Sequence, residues 1–339
     1  TIPVGTTGAQ TFYAAWTPNS YEITLDANGT TFTDGNDTKV VSVTYETSTG
    51  FEVELSDFVG HTLLGWFTED GVQVADADGN FVESVEGYTD DQGRWQRADG
   101  ATLYANWKLH TYTITFDKND ALATGEMQPM TVSYGQSTTL TPNAFFKQGY
   151  YFAGWATQAD GEVVYADGAT VYNWTTDDGV TFELFAKWLP NTNTEYTIEI
   201  YRQDVEGVYG LVDTITRTDG TTDVDLQISS DANSITINGT QYFAVKEDET
   251  SSAEGFSFDH YITNVQNGDA YSIAVTADGN FVISVYFTRN TYSLTVEFDT
   301  GIDSATATVD GEAAPQTLYY EQEFSVTAVV STGYNWASW

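Results

Sequence analysis

A seven-residue pattern, Gly–aromatic–x–apolar–x–x–aromatic, occurs four times along the 339 residues and constrains the fold more than any other feature. The copies begin at Gly60 (GHTLLGW), Gly149 (GYYFAGW), Gly255 (GFSFDHY) and Gly333 (GYNWASW), with His61 the one departure at the second position. Recurrence at such intervals predicts a chain assembled from repeated supersecondary units, each of which buries its own apolar face.

Two further patterns share the recurrence. An opening segment starts at Tyr21 (YEITL), Tyr112 (YTITF), Tyr196 (YTIEI) and Tyr292 (YSLTV). In each, alternate residues are apolar, as Tyr21, Ile23 and Leu25 are, which is the period of a half-buried strand. A closing segment ends at Trp16 (TFYAAW), Trp107 (TLYANW), Trp188 (ELFAKW) and Phe287 (VISVYF). Its inward faces are read as Phe12/Ala14/Trp16, Leu103/Ala105/Trp107, Leu184/Ala186/Trp188 and Ile283/Val285/Phe287, with the small middle residue leaving room for a large neighbour across the sheet. The recurring aromatics Trp16, Trp66, Trp107, Trp155, Trp188, Tyr261, Phe287 and Trp339 are therefore assigned to structure.

Opening tyrosines lie 91, 84 and 96 residues apart, and the closing aromatic precedes the next opening tyrosine by five residues in three cases and eight in one. The expected organisation is residues 18–108, 109–190 and 191–289 as three repeat modules in an elongated array, the third divergent. Residues 1–17 read as the closing strand of a preceding module and 290–339 as the first half of a fourth. Hinges this short predict fixed stacking rather than free tumbling. A strand cut from its sheet leaves backbone groups and an apolar face unpaired, so both ends are expected to be held by a longer array or by neighbouring copies, Gln10–Trp16 of one filling the gap after Trp339 of another.

Turn chemistry supports an all-β class with little helix. Asn28-Gly29, Asp160-Gly161, Asp167-Gly168, Asp219-Gly220 and Asp278-Gly279 supply the positive φ angles that hairpins need. One short helical turn is expected near Thr141–Gln148, where Pro142 could start it.

Eleven basic against 49 acidic residues give a net charge of -38, which disfavours nucleic acid and anionic membranes as partners. Disorder is the wrong reading of that acidity, because 9 Trp, 22 Tyr and 19 Phe accompany it. Cysteine is absent, so no disulfide or thiolate chemistry is possible. No segment reaches the ~20 apolar residues of a membrane-spanning helix, and the first residues lack the pattern of a signal peptide.

Catalytic chemistry has no constellation to rest on, and the chain is read as non-enzymatic. His61 fills an aromatic slot, His110 lies in a hinge and His260 inside a glycine pattern; one dispersed histidine at a time makes neither a triad nor a metal site. Asp90/Asp91 and Asp177/Asp178 fall in glycine-containing turns, and Asp76–Asn80 lacks the spacing of an EF-hand. No cofactor is expected beyond weak calcium binding by such Asp-rich turns. Trp95 and Trp174 stand outside the repeated patterns and are the candidates for exposed contact with a ligand. The sequons at Asn28, Asn36, Asn173 and Asn238 matter only in a glycosylating host.

The segments YTITFDKND, MTVSYGQSTTLTPNAFFKQGYYFAGWATQADGE, YADGATV and ELFAKW, in that order over residues 112–188, resemble the Listeria–Bacteroides repeat, also called the internalin B-repeat. The first module keeps YEITLDANG, GHTLLGW and TLYANW around a longer insertion and resembles a divergent member; the third is more similar to mucin-binding-protein-like repeats. The resemblance implies a β-grasp-like fold in secreted or wall-attached bacterial proteins, with no catalytic residues to carry over and no ligand defined. The expected role is an extracellular cell-surface stalk or filament segment whose partners are neighbouring modules or copies. The alternative is an adhesive module for a host glycan or protein, and a region accessory to an enzyme is a third reading.

Overall fold

The computed structural model describes residues 2–247, 254–267 and 270–338, and among them there is no helix. The strands are β1 (Ser20–Asp26), β2 (Thr38–Thr44), β3 (His61–Phe67), β4 (Gln73–Ala75), β5 (Ala101–Leu109), β6 (Thr111–Asp117), β7 (Met130–Ser133), β8 (Thr138–Thr139), β9 (Tyr150–Ala156), β10 (Thr170–Val171), β11 (Thr181–Pro190), β12 (Thr194–Gln203), β13 (Tyr209–Gly220), β14 (Ile228–Ser230), β15 (Ile235–Ile237), β16 (Thr240–Tyr242), β17 (Phe256–Thr263), β18 (Gln266–Asn267), β19 (Ala270–Tyr271), β20 (Phe281–Arg289), β21 (Thr291–Ser293), β22 (Ile302–Val309), β23 (Glu312–Ala313), β24 (Thr317–Tyr319) and β25 (Ser325–Val330). The fold is all-β, and the chain separates into two compact units.

The first unit comprises Thr1–Asp117, Met127–Asn143 and Tyr165–Leu184. Its main sheet has the order β2-β1-β5-β3-β4, with β1 and β5 parallel at the centre and antiparallel neighbours outside them. Alternation works as the sequence implies: Ile23 and Leu25 of β1 and Leu103 and Ala105 of β5 point into one core, which Trp66 fills between a stacked Phe32 and an edge-on Phe51. In the same unit β6 lies between β7 and the start of β11. The second unit comprises Lys118–Glu126, Ala144–Val164 and Phe185–Trp339. There Phe185–Pro190 of β11 pair with β9, and a larger sheet of order β13-β12-β20-β17 repeats the arrangement of the first, again with a parallel central pair. Tyr196, Ile198, Ile200, Ile283, Val285 and Phe287 form its core, with Tyr261 packed against them.

A corner of side chains recurs where opening and closing strands meet. Trp107 Nε1 donates to Ala27 O at 3.0 Å and Asn28 Nδ2 to Ala105 O at 2.8 Å. Trp188 Nε1 donates to Lys118 O at 2.8 Å and Asn119 Nδ2 to Ala186 O at 3.1 Å. Asn28 and Asn119 both hold positive φ, a conformation Asn tolerates better than most residues. These tryptophans are half-buried, with their N–H satisfied.

Several expectations need correction. Gln10–Trp16 belong to no strand and pair with no sheet among the described residues, and Trp16 is 90% exposed. Phe12 is likewise exposed. The fourth opening segment forms only the three-residue β21, and Tyr292 is exposed. Thr141–Gln148 contain no helical turn: Phe146 instead exchanges two backbone hydrogen bonds with Thr124, and the Asn143 amide donates to the Asp167 carboxylate. Trp339 lies outside the described residues.

Candidate functional site at the joints between sheets

Neither residue singled out as a ligand contact stands free. Trp95 is 0% exposed, packed on Phe81 and Tyr88 with its Nε1 donating to Arg97 O at 2.7 Å, which corrects the expectation of an exposed ring. Trp174 is half-buried, stacked between Tyr112 and Tyr165 with Phe182 edge-on. Both are large apolar rings that the long loops use as local cores.

The polar candidates are also occupied by structure. Asp76 accepts from the amides of Asp78 and Asn80 within its own turn. Asp90 accepts from Arg94 Nε at 2.7 Å, and this bond holds its carboxyl down to about 2. His61 stacks on Phe58, and His260 stacks on Tyr286 with Nδ1 2.8 Å from Asp259 Oδ2. Among the described residues no three His, Asp or Glu side chains are grouped as a metal site needs. The sequon side chains of Asn28, Asn173 and Asn238 each hold a backbone group.

The chemistry that does converge lies where one sheet hands over to the next. Three hinge residues, His110, Asn191 and Asn290, use their backbone in the same way. Each amide donates backward to the carbonyl of a pattern glycine: His110 to Gly60 at 2.8 Å, Asn191 to Gly149 at 2.9 Å, Asn290 to Gly255 at 2.7 Å. Each carbonyl accepts forward, from the amides of Tyr134 at 2.9 Å, Thr222 at 3.0 Å and Tyr320 at 2.8 Å. A hinge residue bonded through both its amide and its carbonyl is restrained on either side of its Cα.

The glycines are held in place twice over. Gly60, Gly149 and Gly255 have φ of 74°, 76° and 83°, where an L side chain is strained. A Cβ at Gly60 would stand 2.1 Å from the Tyr134 ring, one at Gly255 2.1 Å from the Tyr320 ring, and one at Gly149 2.7 Å from Ala277 Cβ. The pattern glycine is therefore a contact surface for the following sheet as well as the start of its own strand.

A polar pin completes each joint. Lys108 forms an ion pair with Asp178, Tyr150 donates its hydroxyl to Asp223, and Arg289 Nη1 reaches Glu321 Oε2 at 3.0 Å and Tyr320 O at 2.6 Å. The Lys108 ammonium and the Thr111 amide hold the Asp178 carboxyl below its ordinary range, and the Asp223 carboxylate pushes the Tyr150 phenol up to about 12. At the first joint His110 adds a bridge, its Nδ1 2.5 Å from Thr176 O and its Nε2 2.6 Å from Thr62 Oγ1. The Thr176 carbonyl can only accept, so in the neutral ring Nδ1 carries the proton and Nε2 accepts from the threonine. These joints are invisible to a search for strand patterns. The signal at two of the three is a tyrosine followed by a residue with positive φ, Tyr134-Gly135 and Tyr320-Glu321, while at the joint built on Gly149 the same place is held by Thr222-Asp223.

Comparison with known proteins bears on the middle of the chain. Residues 112–187 match the Listeria-Bacteroides repeat domain. That segment runs from the opening Tyr112 to the residue before the closing Trp188 and contains the Asn119–Ala186 bond of the second corner. Two proteins of Evansella cellulosilytica are each 27% identical to this chain, over 217 and 209 residues, covering 59% of it in both cases. They carry the names "Putative Gly-rich membrane protein" and "Putative membrane protein", and the chain spans only 21% and 26% of their lengths.

Proposed function

We propose that this chain is a non-catalytic structural spacer of a bacterial surface-associated protein, built from tandem modules at residues 18–108, 109–190 and 191–289 with part of a fourth at 290–339. The observation that carries this reading is the joint: three hinges, at His110, Asn191 and Asn290, make the same pair of backbone bonds around a glycine that admits no side chain. A binding or catalytic module needs a convergent pocket, whereas a spacer needs its connections specified, and here the specification lies in the connections. The repeat match and the membrane-protein relatives support the surface setting. The adhesive alternative has no comparable support, because Trp95 is buried and Trp174 is sandwiched between two tyrosines.

The test is an internal deletion of residues 18–289 from the full-length protein in its own cell. Display at the surface should persist, while a tag placed at the outer end becomes shielded from a bulky antibody. Loss of a cell-free enzymatic or ligand-binding activity with tag access unchanged would overturn the proposal.

A further inference from the structure

The joint has a donating half, the glycine turn with its hinge amide, and a receiving half on the sheet that follows. The receiving half has a fixed form. The hinge carbonyl accepts from a residue that directly precedes one with positive φ: Tyr134 before Gly135 at 74°, Thr222 before Asp223 at 56°, Tyr320 before Glu321 at 57°. The first sheet has the same construction. Tyr45 N donates to Asn19 O at 2.9 Å, and Glu46 follows at φ 58°. Positive φ is uncommon outside glycine, so its recurrence at one structural position marks a shared device. Asn19 also matches His110 in spacing, each lying two residues before an opening tyrosine and three after a closing tryptophan.

What differs is occupancy. The amides of His110, Asn191 and Asn290 reach a glycine carbonyl, whereas among the described residues the Asn19 amide makes no hydrogen bond. Asp223 and Glu321, which occupy the place of Glu46, each take a pin from the preceding sheet, from Tyr150 and Arg289. The Glu46 carboxylate makes no hydrogen bond or ion pair among the described residues, although its charge reaches Arg94. The Tyr45 ring, counterpart of the two that cover Gly60 and Gly255, is partly exposed.

We infer that the face formed by Asn19, Tyr45 and Glu46 is the receiving half of a further joint, and that its occupant is a β-module of this same class. Such a module seats a positive-φ glycine under the Tyr45 ring, accepts the Asn19 amide with that glycine's carbonyl, and offers Glu46 a donor from a tyrosine, lysine or arginine. Continuity with three occupied joints selects this occupant over a glycan or an unrelated protein: the face carries a backbone donor, a ring and a carboxylate in the arrangement that the chain already uses on itself. The inference rests on the joint reading above.

The test extends the full chain by replacing residues 1–16 with a copy of residues 18–107, so that the copied Trp107 takes the place of Trp16 and the hinge through Asn19 is kept. Amide hydrogen exchange at Asn19 is compared in the extended and unextended chains, with His110 as internal reference. The expected result is about tenfold slower exchange at Asn19 on extension, abolished by Tyr45→Ala or by Gly60→Val in the copy alone. Unchanged exchange at Asn19 with His110 still protected would overturn the inference and leave the joint reading standing. An Asn19 amide already slow in the unextended chain would also overturn it, by showing the face covered from within. Fast exchange at His110 in the unextended chain would sink the joint reading itself.

Discussion

The joint after the first sheet and the joint built on Gly149 do the same task with different fillings. At Gly60 a tyrosine ring lies on the glycine, and the forward amide belongs to that same Tyr134. At Gly149 the forward amide belongs to Thr222, and the glycine meets Ala277, which belongs to a different turn. The two backbone bonds are common to both; the space filler is not. Orientation is thus set by main-chain groups, which every sequence carries, while side chains supply only the fit, so a hinge can read His110 in one place and Asn191 in another without changing the connection.

The largest effect that sharpens this comparison comes from adding a methyl group. Gly60→Ala and Gly149→Ala should each cost about 2–4 kcal/mol, from backbone strain together with overpacking. They should differ in rescue. The obstacle at Gly60 is a ring that can be removed, so Tyr134→Ala should restore about 1 kcal/mol or more of the Gly60→Ala loss. At Gly149 the Ala277 Cα and O also lie within 3 Å of the added atom, and Ala277→Gly should restore little. Urea midpoints of the two double-mutant cycles decide it; equal rescue would mean that the fillings are equivalent after all.

Next in size are the pins. Arg289 has a side chain only 8% exposed, stacks on Phe256 and feeds both Tyr320 O and Glu321, so Arg289→Met should destabilise by about 2–4 kcal/mol. Lys108 is 52% exposed, and Lys108→Met should move the thermal midpoint little. A comparable loss from both would show that pinning strength does not follow burial.

The smallest effect is a pH dependence. The Asp178 carboxyl is depressed by Lys108, so its folded value lies below its unfolded one and the native state binds this proton more weakly. Its contribution is therefore present above the ordinary carboxylate range and fades as pH falls through the depressed value. Asp178→Asn should be less stable than the parent at pH 7, with the gap closing below about pH 4. Parallel pH profiles for the two proteins would argue that the pair contributes nothing.

Strands and cores were legible because their chemistry is local and periodic. Tyr21-Glu22-Ile23-Thr24-Leu25 alternates, and Ile23 and Leu25 are buried as that alternation requires. Trp66 and Trp155 fill cores from equivalent places, each closing a glycine pattern. Trp95 misled because a residue outside the repeat looks free, while the long insertion around it folds its own aromatic cluster of Phe81, Tyr88 and Trp95. The joints stayed hidden for a different reason: a bond from His110 N to Gly60 O leaves no trace in the identity of His110, and only the glycine shows a constraint.

The parallel pairing of β1 with β5 and of β12 with β20 has a mechanical consequence. In each sheet the strand by which the chain enters lies beside the strand by which it leaves, and both run in one direction. A pull on the two ends of such a sheet loads the rungs between these strands in shear, so they resist together instead of opening one at a time like a zip. The first sheet has four paired positions along this seam, Ile23–Ala101 to Asp26–Tyr104, and the later one has seven, Tyr196–Phe281 to Arg202–Phe287. Under tension the first should give way before the later one, as a fuse does, because forced unfolding is governed by the barrier along the pulled coordinate and not by the total stability of the sheet.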